Sequence, residues 1–135
     1  MNLVTPTRFP MHADENGVLR VFECGRHVPF DVRRVFTVSA RKGDLRGDHA
    51  HKKCTQLLAC VYGKIRVTCD DGSHVTEHLL DNLGVGLLVH PGIWAKEEYM
   101  VDGAVLMVLC DRGYEEDDYI RDYKDFKTLF RSRKS

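Results

Sequence analysis

Apolar positions along the chain fall in short runs, broken by turn residues about every ten positions. Residues 18–23 and 34–39 carry the β-branched and aromatic side chains that favour extended backbone. Residues 56–62 form a third apolar run, closed by Gly63, and residues 64–69 alternate with period two. Asp70-Asp71-Gly72 follows directly and predicts a hairpin, because Asp and Gly tolerate the positive φ of tight turns. Residues 75–80 are expected to pair back across it, and residues 85–89 and 104–110 complete the set. Many short strands at regular spacing predict a β-sandwich or barrel. The tail changes period: Tyr119, Ile120, Tyr123, Phe126 and Phe130 recur at three- and four-residue steps and predict one helix over about 115–130. Its acidic start, Glu115 to Asp118, and its basic end, Lys124, Lys127, Arg131 and Arg133, both complement the helix dipole.

Composition narrows the class. The 135 residues suit one domain, 1–135, with neither repeat nor linker. With 20 basic and 20 acidic residues the net charge is zero, which argues against bulk attraction for nucleic acid or an anionic membrane. The longest apolar run, Val105 to Cys110, is far shorter than the ~20 residues that span a bilayer. No secretory signal is visible, and the five cysteines form no C-x-x-C pair. Reduced buried thiols in a cytoplasmic protein are the expectation.

The chemistry concentrates between Arg41 and Gly63. His49 and His51, at i and i+2 on a strand, project to the same face. Inside a barrel, two imidazoles in one cavity can serve as acid, base or metal ligands. Arg41, Lys42, Arg46, Lys52 and Lys53 crowd around the pair, so overall neutrality conceals a local basic patch. The other histidines carry no comparable pattern; His74 and His78 read as surface or rim residues.

The spacing Gly43, His49, His51, Gln56, Gly63 resembles the first motif of the cupins. The acidic residue usual in that motif is Gln56 here, and Ala95 stands about where the second motif supplies a histidine. Two neutral imidazoles and an amide make a poor metal cage, unless His90 points inward to add a third ligand. Within the cupins, Arg46-Gly47-Asp48-His49-Ala50-His51-Lys52 resembles the R-G-x-H-A-H-K signature of the sugar 3,4-ketoisomerases. Pro29 to Val35, Asp70-Asp71-Gly72, Leu80-Asp81, Pro91-Gly92-Ile93-Trp94 and Asp118 to Phe126 continue the likeness, which covers roughly residues 10 to 130. Some relatives read Trp-His at Trp94-Ala95, so the product stereochemistry does not carry over.

The resemblance implies an all-β cupin, a double-stranded β-helix or jelly-roll barrel, with a C-terminal α-helix. It implies an isomerase that moves the keto group of dTDP-4-keto-6-deoxyglucose from C4 to C3 through an enediolate, in deoxysugar biosynthesis, with no cofactor and no metal. His51 is expected as base and His49 as acid, with the reverse assignment open. Arg41, Arg46, Lys53, Gln56 and Trp94 are candidate substrate-binding residues, although each cation also suits a solvated surface and Trp94 a core. The family further implies a cytoplasmic homodimer with exchanged N-terminal strands, binding neither nucleic acid nor membrane. Two other readings stay open: a metal-dependent cupin enzyme and a non-catalytic sugar-binding cupin.

Overall fold

The computed structural model describes residues 3–130. The chain forms strands β1 (Val4–Arg8), β2 (Met11–Asp14), β3 (Gly17–Arg20), β4 (Arg34–Ala40), β5 (Leu45–His51) and β6 (Gln56–Tyr62). These are followed by β7 (Ile65–Asp70), β8 (Val75–Leu80), β9 (Val85–Val89), β10 (Trp94–Tyr99) and β11 (Ala104–Cys110). A 3-10 turn, Glu116–Asp118, leads into β12 (Tyr119–Ile120) and helix α1 (Tyr123–Phe130). Two five-stranded sheets, ordered β1-β9-β6-β11-β4 and β12-β5-β10-β7-β8, face each other, and β2-β3 forms a separate hairpin. Pro6 falls on β1 at a sheet edge, where its missing N–H costs no ladder bond.

Side-chain alternation builds the interior. Ile65, Val67 and Cys69 of β7 point inward with Leu58 and Cys60 of β6 and Ala104, Leu106, Val108 and Cys110 of β11. Tyr99 is fully buried among them, its hydroxyl donating to the Val38 carbonyl at 3.0 Å. Strand β6 reads as a continuous apolar run because its outer face is covered too. The segment 21–33 lies over it, packing Phe22, Val28, Phe30 and Val32 against Leu57, Leu88 and Leu109. Four of the five cysteines are buried, and all five are free thiols.

Three expectations are revised. The single helix over 115–130 is instead a 3-10 turn, a two-residue strand and a shorter helix, because Asp118 is drawn inward by hydrogen bonds and Tyr119-Ile120 pairs with β5. Of the basic residues assigned to the helix end, Arg131 and Arg133 lie outside the described residues. The β7-β8 connection is a four-residue loop rather than a minimal turn, since Asp70 pairs with Val75. Its backbone is held by the Asp71 carboxylate, which accepts from the Ser73 and His74 N–H groups. The first predicted strand is shorter at its end, stopping at Arg20 where the chain turns to cover the barrel. Among the described residues, no helix is long and apolar enough to cross a membrane.

Candidate active site

The site lies between the sheets, on the inward faces of β5 and β10. Ala95 pairs with His49 and Lys96 with Gly47, which leaves Asp48 as an extra residue without a partner on β10. Gly47 and Asp48 both hold positive φ, +75° and +63°. This β-bulge resets the alternation. In an unbroken strand Gly47 would share the face of the two histidines. With the bulge, Arg46 takes that face, opposite Glu97 in register.

His51 is buried and its Nδ1 lies 2.8 Å from Asp118 Oδ2. The same carboxylate accepts the N–H groups of Lys53 at 2.6 Å and Cys54 at 3.3 Å. Burial alone would raise the Asp118 pKa, but the bonds from His51, Lys53 and Cys54 hold it below its ordinary value. Burial also lowers the His51 pKa, against the opposing pull of Asp118. At neutral pH the pair is therefore a carboxylate and a neutral imidazole. A carboxylate can only accept, so Nδ1 carries the proton and Nε2 keeps its lone pair.

His49 stands next to His51, their ring centroids 5.1 Å apart, edge to face. Tyr119 packs on both, 5.0 Å from His49 and 4.4 Å from His51. Burial and then the neighbouring His51 lower the His49 pKa to about 4, so this imidazole is also neutral at pH 7. A cavity of about 190 Å³ opens in front of it. His49, Gln56, Glu97, Tyr119 and the three guanidinium groups of Arg34, Arg46 and Arg121 line its polar side. Phe36, Val38, Leu58, Leu106 and Val108 close its apolar side. A smaller void of about 20 Å³, bordered by His49, His51, Gln56, His90 and Glu97, has room for about one water.

The sequence-predicted residues divide accordingly. Arg46 and Gln56 line the cavity with His49, whereas His51 borders only the small void behind it. Arg41 does not line either space; its side chain is largely exposed and turned to Asp44. Lys53 contributes its backbone N–H to Asp118, because β5 ends at His51 and the alternation assumed for Lys53 ends with it. Trp94 faces the other way. It lies on the outer face of β10, donates its indole N–H to Asp48 at 2.9 Å, and packs with Ala50, Ile120 and Phe126 under α1. The basic character of the cavity thus comes from Arg34, Arg46 and Arg121, not from the run around Lys52.

Sequence reasoning missed Asp118, Tyr119, Arg121, Arg34 and Glu97. In the sequence Asp118 differs from its three acidic neighbours only by adjoining the apolar pair Tyr119-Ile120. Arg121 is fixed by Glu116, with Nε–Oε1 at 2.9 Å and Nη2–Oε2 at 3.0 Å, and lies over the Tyr119 ring.

A cupin barrel commonly holds a metal at the positions of His49, His51, Gln56 and Ala95. Here those positions offer two imidazoles, an amide and a methyl group, with no anionic donor, and do not fit a divalent ion. His90 does border the void. Yet the one group of His, Cys and acidic residues among those described whose ligand atoms lie within 4.8 Å of one another is His51, Cys54 and Asp118, already engaged by hydrogen bonds.

This barrel sets paired imidazoles beside an arginine-lined cavity, groups that can exchange protons next to an anionic ligand. Residues 2–131 match the family described as "FdtA: WxcM-like, C-terminal". The chain is 42% identical over 115 residues to the TDP-4-oxo-6-deoxy-α-D-glucose-3,4-oxoisomerase of Aneurinibacillus thermoaerophilus, covering 84% of this chain and 83% of that one. It superposes on a mutant of the 3,4-ketoisomerase QdtA from Thermoanaerobacterium thermosaccharolyticum, solved with TDP-4-keto-6-deoxyglucose. The TM-score is 0.92 at 30% identity, over 98% of this chain and 97% of that one. It also matches a 3,4-ketoisomerase from Helicobacter canadensis, with a TM-score of 0.88 at 29% identity over 95% and 97% of the chains. The chain belongs to the FdtA, WxcM-like C-terminal family.

Proposed function

We propose that this protein is a nucleotide-sugar 3,4-ketoisomerase that moves the keto group of a dTDP-linked 4-keto-6-deoxyhexose from C4 to C3. The observation that carries the reading is a neutral histidine on the floor of an arginine-lined cavity, in a chain 42% identical to an oxoisomerase of that specificity. The cavity of about 190 Å³ is below the ~300 Å³ typical of a drug-sized ligand, so it suits the sugar alone. The nucleotide then lies at the rim, and the guanidinium groups of Arg34, Arg46 and Arg121 face the diphosphate and the enediolate.

The reaction needs a proton removed from C3 and one returned to C4. His49 suits both steps: its lone pair takes the C3 proton, and the resulting imidazolium, in exchange with solvent, supplies a proton at C4 of the enediolate. This gives His49 the base role expected of His51 as well as its own acid role, because His51 does not border the larger cavity. His51, oriented by Asp118, supports His49 from behind. Tyr119, packed against both rings, limits how they tilt. None of these steps calls on a metal or redox cofactor.

The test is incubation with dTDP-4-keto-6-deoxyglucose in D2O, followed by NMR. Deuterium entering the ring as the ketone moves to C3 is expected; an unchanged spectrum refutes the reading. We also read the protein as a cytoplasmic homodimer exchanging N-terminal strands. The exposed Val18 and Leu19 on the β2-β3 hairpin support an interface there. A monomeric mass by light scattering would refute it.

A further inference from the structure

The isomerisation moves two protons, not one. A proton leaves C3 and arrives at C4, and separately the hydroxyl proton on the C3 oxygen must end on the C4 oxygen. His49 accounts for the carbon transfer under the function proposed above. The oxygen transfer needs a group that donates at one oxygen while accepting from its neighbour.

Glu97 meets the geometric requirements. It lies on the inward face of β10, two residues from Ala95, whose methyl group opposite His49 leaves the space before it open. Its side chain lines both the large cavity and the small void, as do His49 and Gln56. It is 8% exposed, and its Oε2 atom is buried without a hydrogen-bond partner among the described residues. An unpaired buried oxygen is costly and is normally satisfied by water or ligand. A Cβ on Gly47 would sit 1.9 Å from that same oxygen, so the bare glycine at the bulge makes room for the carboxyl group.

We propose that Glu97 is a third acid–base residue of this site and carries the proton from the C3 oxygen to the C4 oxygen. Protonated Glu97 donates from one oxygen to the carbonyl oxygen at C4, forming an O–H bond there as its own breaks. Its other oxygen takes the hydroxyl proton from the C3 oxygen as that carbon becomes the ketone. The electron pair of the C3–H bond passes through the enediol to C4, where the imidazolium of His49 supplies the proton. Glu97 ends protonated and His49 neutral, as they began.

The acid form is available at neutral pH because burial raises the Glu97 pKa to about 7, with Arg46 opposing and Asp48 reinforcing. The charged or titratable groups around it are Arg46, Asp48, His49 and His51 from β5, Cys54 just beyond, Cys69 from β7, Arg34 from β4, His90 after β9, Tyr99 on its own strand, and Tyr119 and Arg121 at β12. Burial holds His49 and His51 below the ordinary imidazole range and pushes the Cys69 thiol up, so the alkaline limb in turnover is assigned to Glu97.

The experiment compares wild type, Glu97→Gln and Glu97→Met for kcat, KM and pH dependence, with thermal melts to show that each is folded. Deuterium exchange at the ring is read in parallel. Glu97→Gln keeps shape and hydrogen bonding but cannot exchange a proton between its two ends as an acid. The expected result is a loss of kcat of at least tenfold in both variants, KM within threefold, and no fall in Glu97→Gln activity as pH rises through 7. Wild-type kcat and pH profile in Glu97→Gln overturn the proposal, whatever Glu97→Met does, and leave the ketoisomerase reading intact. Failure of the wild type to move the ketone from C4 to C3 overturns both.

Discussion

Replacing Asp118 with Asn tests the support behind the histidine pair. The carboxylate accepts three hydrogen bonds at a site only 5% exposed: His51 Nδ1 at 2.8 Å, Lys53 N–H at 2.6 Å and Cys54 N–H at 3.3 Å. An amide keeps one acceptor and turns an NH2 group toward at least one of these donors. Each bond to a charged acceptor contributes roughly 1.5–3 kcal/mol, and a buried donor left unpaired costs about 1–3 kcal/mol. We expect Asp118→Asn to lose about 3–5 kcal/mol of stability at pH 7. The depressed Asp118 pKa means that this contribution is fully present above the ordinary unfolded value of 3.8 and is lost only as pH falls through the lower folded value. Neutral pH is therefore the right condition. Function should fall as well, because Nδ1 is no longer obliged to hold the proton; general acid–base contributions of ~10²–10⁴ set the scale, and a loss of about 10² in kcat is expected. Urea denaturation gives the first quantity, steady-state turnover the second, and 15N chemical shifts the His51 tautomer. Wild-type turnover with His51 still protonated at Nδ1 would refute the argument.

Two further substitutions separate site from scaffold. Trp94→Phe removes the indole bond to Asp48 and some packing under α1, so stability should fall by about 1–2 kcal/mol while KM stays within twofold. A large rise in KM would return Trp94 to the substrate. Gly47→Ala introduces strain at φ +75° and a contact with the Glu97 carboxyl, and should cost about 1–3 kcal/mol. In a double-mutant cycle with Glu97→Ala, part of that loss should be recovered; strict additivity of the two substitutions would show that they do not touch.

The barrel was legible because most strands announce themselves by alternation and by the residues that end them. Residues 34–39, 56–62 and 85–89 map closely onto β4, β6 and β9. The histidine pair was legible for the same reason, as i and i+2 on one strand. What failed were inferences that extended local periodicity past a break in it. The bulge at Gly47-Asp48 shifts Arg46 inward, which alternation alone would not give. The end of β5 at His51 removes Lys53 from the face assumed for it. At the tail, Tyr119, Ile120, Tyr123 and Phe126 suit a helix by spacing, but β12 pairing and the demand of buried donors for a carboxylate override that preference. Glu97 was hidden because Lys96, Glu97 and Glu98 form an unremarkable polar run. Only the ladder shows that one of the three points into the barrel.

The buried ionisable groups also impose a pH dependence on stability, and two of them act in opposite directions. His49 has a folded pKa of about 4 against 6.5 unfolded, so between those values the unfolded chain holds the extra proton and stability rises with pH. Glu97 has a folded pKa of about 7 against 4.5, so between those values the native state holds the extra proton and stability falls as pH rises. Each group contributes about 1.4 kcal/mol per pH unit where it acts alone, and about 3 kcal/mol over its whole range. From about pH 4.5 to 6.5 the two slopes largely cancel, and the lowered His51 pKa leaves a modest rise. Wild type should therefore show a shallow profile of unfolding free energy in urea across this interval. Glu97→Gln removes the falling component, so its profile should climb by about 1.4 kcal/mol per unit more steeply than wild type. His49→Gln removes a rising component, and its profile should tilt downward by a similar amount. Parallel profiles for all three proteins would mean that neither group is held away from its ordinary pKa, and the neutral imidazole facing a protonated carboxyl would no longer be the resting state of the site.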